Sequence, residues 1–135
     1  MDELKAFIEE WQTDTAGVKP IFEEIARALS EKPDAELDFY GRPGVSYSLR
    51  ARNIKQQRPL YVAVDVIDDD PDNRWLSVCF FDDMVSDPDE VGDWVPKGLF
   101  GDDARCFNID GPDADFAGYV KARIEEAAGK ARQEQ

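Results

Sequence analysis

The sequence predicts an α+β domain: about five antiparallel strands, with two helices before them and one after, in the order α-α-β-β-β-β-β-α. Three observations lead there. Apolar residues recur every three to four positions up to Leu29, every two positions from about Ala35, and every three to four again from Phe116. "PLYVAVDVI" and "RWLSVCFF" are near-continuous apolar runs of strand length. A sheet with one apolar face and three amphipathic helices is packed most economically with the helices on that face.

The first helix carries Leu4, Phe7, Ile8 and Trp11 on one stripe. "TDTAG" interrupts it. The second presents Ile21, Phe22, Ile25 and Leu29, with Pro20 in the first turn, where a missing N–H costs nothing, and Pro33 beyond its end. "AELDFYGRPGVSYSLRAR" predicts a hairpin turning at "GRPG". On its second strand Val45, Tyr47, Leu49 and Ala51 alternate with Ser46, Ser48, Arg50 and Arg52, giving one buried face and one wet, basic face. The two apolar runs read as central strands joined by "DDDPDN", and "ARCFNID" reads as the fifth strand. The segment between them, "DDMVSDPDEVGDWVPKGLFGDD", reads as a long loop with one helical turn near "SDPDEVGDW". The last helix begins near "GPDADF", with Asp113 or Asp115 suited to its positive end. Its apolar face is Phe116, Tyr119, Val120, Ile124, Ala127 and Ala131.

With 135 residues and a 42% hydrophobic composition, the chain reads as one domain over 1–135 with a core of its own. The net charge of −14 is unevenly spread. Gly41 to Arg58 holds five bases (Arg42, Arg50, Arg52, Lys55, Arg58) and no acid, whereas Asp65 to Asp93 holds eleven acids and one base, Arg74. Such a field disfavours nucleic acid and anionic membranes and favours cations or basic partners. No apolar run approaches the roughly 20 residues of a membrane span. The start "MDELKAFIEEWQ" has no basic, apolar signal pattern. Cys79 and Cys106 lie in apolar strand-like segments and read as buried free thiols. Together these point to the cytoplasm.

"DDDPDN" raises the possibility of a cation site. Asp68, Asp70 and Asp72 hold the first, third and fifth places of a calcium loop, and Asn73 stands where the glycine would. The twelfth place is Cys79, inside a strand, and the flanks are strands where helices are required. A polar turn between two strands explains the same residues more simply.

The chain has no histidine, which removes the Ser-His-Asp and Cys-His systems and the commonest zinc ligand. No phosphate-binding glycine loop is present, and no cofactor is expected. Three other places stand out. Asp65 lies in a strand that otherwise reads as buried, so it is solvated at the strand end or paired with Arg50 or Arg52. "WVPKGLFG" sets Trp94, Lys97 and Phe100 in a loop, packed on the core or offered to a partner. Arg50 and Arg52 share a strand face, flanked by Arg42, Lys55 and Arg58 with Tyr47 nearby, either balancing the chain's own acids or holding an anion or an acidic segment. The leading expectation is a small acidic cytoplasmic binding module without catalytic activity, using Trp94, Lys97, Phe100, Tyr47, Arg50 and Arg52 on a protein partner. The alternatives are a divalent-cation-binding protein using Asp68, Asp70 and Asp72, and an acidic nucleic-acid mimic. An enzyme would be marked by a closed pocket lined by Asp65 or Cys79 with a perturbed pKa.

Overall fold

The computed structural model describes residues 1–133. Helices α1 (Asp2–Glu10) and α2 (Lys19–Ser30) lead into strands β1 (Ala35–Arg42), β2 (Ser46–Asn53), β3 (Val62–Ile67) and β4 (Trp75–Phe81), then β5 (Asp93–Leu99) and β6 (Asp102–Ile109), and helix α3 (Ala114–Gln133) follows. The sheet has six antiparallel-paired strands in the order β1-β2-β3-β4-β6-β5. The fold class is the expected one, with one more strand.

Local chemistry sets the element ends. Asp14 caps α2, its two carboxylate oxygens accepting from Val18 N (3.0 Å) and Lys19 N (2.9 Å). Asp113 does the same for α3, accepting from Phe116 N at 3.1 Å. The β1–β2 turn places Pro43 and then Gly44 at φ 85°, closed by Val45 N donating to Arg42 O at 2.9 Å. Only glycine holds such a φ without a penalty, and proline presets the position before it.

The helices cover one sheet face. Leu49, Val62, Val64, Val66, Leu76, Val78, Phe80 and Phe107 are buried beneath them. Phe7 of α1 stacks on Tyr47 of β2 at 4.1 Å and meets Phe39, Phe22 and Trp11 within about 6 Å. Tyr47 is therefore partly buried against the core, on the sheet face opposite Arg50. Its place in the alternation already assigned it to the buried face.

Two expectations are corrected here. The first concerns residues 93–99, which form edge strand β5 where a loop was expected. Pro96 and Gly98 disguise it, but an edge strand tolerates a proline because one row of N–H groups has no sheet partner. β6 lies between β4 and β5, so the connection after β4 crosses to reach the edge. That connection opens with a single 3₁₀ turn, Asp82–Met84, upstream of the expected one. It is fastened to α3: Glu126 accepts from Ser86 N (2.9 Å), and Tyr119 donates its hydroxyl to Asp87.

The second concerns the cysteines. Cys79 and Cys106 are directly opposed in the β4–β6 ladder, with Cα atoms 4.1 Å apart, and are joined as a disulfide. Closely spaced opposed pairs are the ones a disulfide can bridge within an antiparallel ladder. The bond removes free thiols as a sign of a reducing compartment. Among the described residues, no helix is long and apolar enough to cross a membrane.

Candidate functional site

The face of the sheet away from the helices carries the polar half of each strand: Asp38, Tyr40 and Arg42 from β1, Ser46, Ser48, Arg50 and Arg52 from β2, Asp65 from β3, and Ser77 from β4. The period-2 alternation puts them there. The face is curled, because Phe100, in the β5–β6 turn, comes within 5.8 Å of the Arg50 guanidinium although β3 and β4 lie between their strands. Phe100 has φ 52° and Gly101 φ 84°, which bends the turn over the face. Phe100 remains 61% exposed.

A cleft of about 470 Å³ opens on this face, lined by Tyr40, Arg42, Ser46, Ser48, Arg50 and Asp65 among others. Arg50 and Arg42 are the cations that line it. One side of the Arg50 guanidinium lies 4.5 Å from the Tyr40 ring, and Phe100 approaches from further away. Its Nε donates to Ser48 Oγ at 3.1 Å. Among the described residues, neither Arg50 nor Arg42 has a carboxylate within 4.0 Å.

Asp65 lies beneath them, opposite Ser48 on one side and Ser77 on the other. It is partly buried, and its Oδ1 is closed off from solvent without a hydrogen-bond partner among the described residues. Burial pushes its pKa up, while a hydrogen bond from Ser48 and the positive charges of Arg50 and Arg42 offset only part of that rise. The solvated strand-end expectation is thereby corrected: Asp65 is a desolvated carboxyl with two arginines in electrostatic range.

The sign of its effect on stability follows. A carboxyl whose pKa is raised on folding binds its proton more tightly in the native state. Its penalty is absent below the unfolded value, grows as pH rises through the folded one, and is full above it. Asp65→Asn is expected to melt a few degrees above the parent at neutral pH, with the difference closing below about pH 4. Equal melting temperatures across that range would show that the carboxylate bears no desolvation penalty.

The other predicted residues disperse. Arg52 is occupied by its own surroundings: Nη1 meets Glu36 at 2.7 Å, Nε meets Arg58 O at 3.3 Å, and Nη2 donates to Gln56 O. It clamps the β2–β3 connection, with each of its three nitrogens engaged within the chain. Trp94 is 55% exposed, but its register opposite Arg105 puts it on the helix-bearing face, away from Phe100. Lys97 is exposed, with φ 55° and its N–H donating to Asp103 Oδ1 at 3.0 Å.

The acidic loop also divides. Asp68 is 3% exposed and turned inward, accepting from Arg74 Nε (2.7 Å) and Gly44 N (2.8 Å). Asp70 stays outside and bonds Asp72 N at 3.2 Å, as a turn residue does. Among the described residues, no group of three or more His, Cys, Asp or Glu is placed to hold a metal ion. The Asp-x-Asp-x-Asp spacing does not gather its carboxylates because the first of them closes an internal ion pair.

Tyr40, Ser46 and Ser48 line the cleft without having been singled out, whereas Arg42 was expected there only as a flank of Arg50 and Arg52. The alternation that singled out Arg50 extended to both serines. The antiparallel hairpin register also places Tyr40 beside Ser48 and Arg42 beside Ser46. No protein-family model, curated protein or solved structure matches the chain. The chemistry of the cleft itself is what bears on function.

Proposed function

We propose that this chain is a binding module whose curled sheet face takes up a small organic anion. The observation that carries the reading is Arg50. It is a cation 4.5 Å from the Tyr40 ring and 5.8 Å from that of Phe100, with no carboxylate within 4.0 Å among the described residues, lining a 470 Å³ cleft. Proteins with a strong negative charge neutralise surface arginines readily, so two cations kept together without ion pairs mark a place where a negative group is welcome. The size suits a small molecule, and the mixture of aromatic walls with a few convergent polar groups is that of ligand sites. A protein partner meeting the same face through an acidic side chain would use the same contacts.

A thermal melt with millimolar benzoate, acetate or inorganic phosphate, at constant ionic strength, tests the reading. An anion at about 100 times its dissociation constant adds about 2.7 kcal/mol, a shift of several degrees. Arg50→Gln is expected to remove the response. The absence of any shift, or one that persists in Arg50→Gln, rules the cleft out as an anion site.

A second reading has one observation in its favour. The raised pKa of Asp65, at the edge of the cleft, suits a general acid or base. The cleft is open and offers no activated nucleophile beside it, so binding ranks first.

A further inference from the structure

We propose that the cleft binds a small carboxylate together with one proton, and that Asp65 is the residue that takes the proton up. The inference rests on the anion-site reading and adds to it a ligand class and a linked ion.

The ligand class follows from how Arg50 is held. The Tyr40 ring lies 4.5 Å from its guanidinium, that of Phe100 5.8 Å away, and its Nε is engaged by Ser48. What remains is the Nη1–Nη2 edge, a planar pair of donors. A planar carboxylate matches that fork with two parallel hydrogen bonds.

The proton follows from charge. Arg50, Ser48 and Asp65 lie in sequence across the face: Arg50 Nε donates to Ser48 Oγ at 3.1 Å, and Ser48 stands directly opposite Asp65 in the β2–β3 ladder. The ionised form of Asp65 leans on Ser48, Arg50 and Arg42, and its buried Oδ1 has no hydrogen-bond partner among the described residues. A bound carboxylate draws on the same two arginines and adds a negative charge to the same desolvated face. Two carboxylates sharing one site do not both ionise easily, so the more buried one protonates.

The groups facing Asp65 leave few other candidates. From β1 come Arg42, Tyr40 and Asp38; from β2 come Arg50, Ser46, Ser48 and Arg52, the last tied to Glu36; β4 offers Ser77 and the disulfide of Cys79; the β5–β6 turn offers Phe100. Asp38 is exposed, opposite Arg50, and stays solvated. No covalent bond is made or broken apart from the O–H that forms on Asp65, with the proton supplied by solvent. The charge of the two arginines plus their carboxylates is the same before and after binding.

The experiment is an NMR titration of the full-length protein with sodium benzoate at several pH values from 5 to 8, at constant ionic strength. It follows the Arg50 Nε–H resonance and the ¹³C shift of the Asp65 carboxyl. The dissociation constant is expected to rise with pH by up to tenfold per unit, the limit for one linked proton. The Asp65 carboxyl should move toward its protonated shift as benzoate is added. Asp65→Asn should bind with a pH-independent constant near the low-pH value of the parent. A flat pH profile with an unmoved Asp65 carboxyl overturns the proton linkage and leaves the anion site standing. Inorganic phosphate binding more tightly than benzoate overturns the ligand class. No response at any pH, with Arg50→Lys equally silent, overturns both this inference and the reading beneath it.

Discussion

Asp68→Ala is expected to unfold at a much lower urea concentration than the parent, with a loss of about 3–5 kcal/mol. The reason lies in what Asp68 holds. Arg74 is 4% exposed and lies with its guanidinium 5.0 Å from Phe7 and 5.6 Å from both Trp11 and Tyr47. Burial works against its charge, and hydrogen bonds to Asp68 and Glu10 more than offset that, keeping its pKa above the usual arginine value. Glu10 alone is a poor replacement for Asp68, because its side chain is half exposed, at 53%. Removing Asp68 leaves a cation among aromatic rings and also frees Gly44 N, which ties the β1–β2 turn to the β3–β4 turn. Asp70→Ala and Asp72→Ala, in the same acidic run, should stay within about 0.5 kcal/mol of the parent because their side chains face water. The double variant Asp68→Ala with Arg74→Leu should recover part of the loss, since the stranded charge goes with its partner. If Asp68→Ala melts like Asp70→Ala, the buried pair does not hold these turns together.

Reducing Cys79–Cys106 is expected to cost ~3.5 kcal/mol, the loop-closure entropy for a sequence separation of 27 residues. The segment it closes contains the crossing connection, β5 and the β5–β6 turn, all of which reach the sheet through non-local contacts. Melts of the native protein with and without a phosphine reductant, paired with thiol counting by mass spectrometry, measure the effect. Two thiols that alkylate fully in the unreduced native protein would remove the bond from the account. A Cys79→Ser, Cys106→Ser double variant should match the reduced protein and not respond to reductant.

The two predictions fall where spacing in the sequence is a poor guide to direction in space. Asp68, Asp70 and Asp72 are two residues apart, which puts alternate side chains on one face only in a regular strand. They lie in a turn, so the chain path chose which of them points inward, and Arg74 waits there. Cys79 and Cys106 lie in strands that the sequence does identify, but their opposition depends on β6 pairing with β4 while β5 is sent to the edge. The same topology split the Trp94–Gly101 segment, leaving Trp94 on the helix side and carrying Phe100 over the opposite face.

What the sequence by itself determined was everything set by local periodicity. Leu4, Phe7 and Trp11, and then Ile21, Phe22, Ile25 and Leu29, specify two helices because their spacing makes an apolar stripe only at 3.6 residues per turn. The alternation from Ser46 to Arg52 likewise put Arg50 and Tyr47 on opposite faces of the sheet before any contact was known. What only the tertiary structure decided was which polar groups found partners. Arg50 and Arg52 occupy equivalent positions in the alternation, yet Arg52 meets Glu36 and two carbonyls of its own connection, whereas Arg50 meets aromatic rings and a serine. Partnership depends on register between strands and on the curl of the sheet. Both arise from long-range packing, and neither is written into the order of residues along one strand.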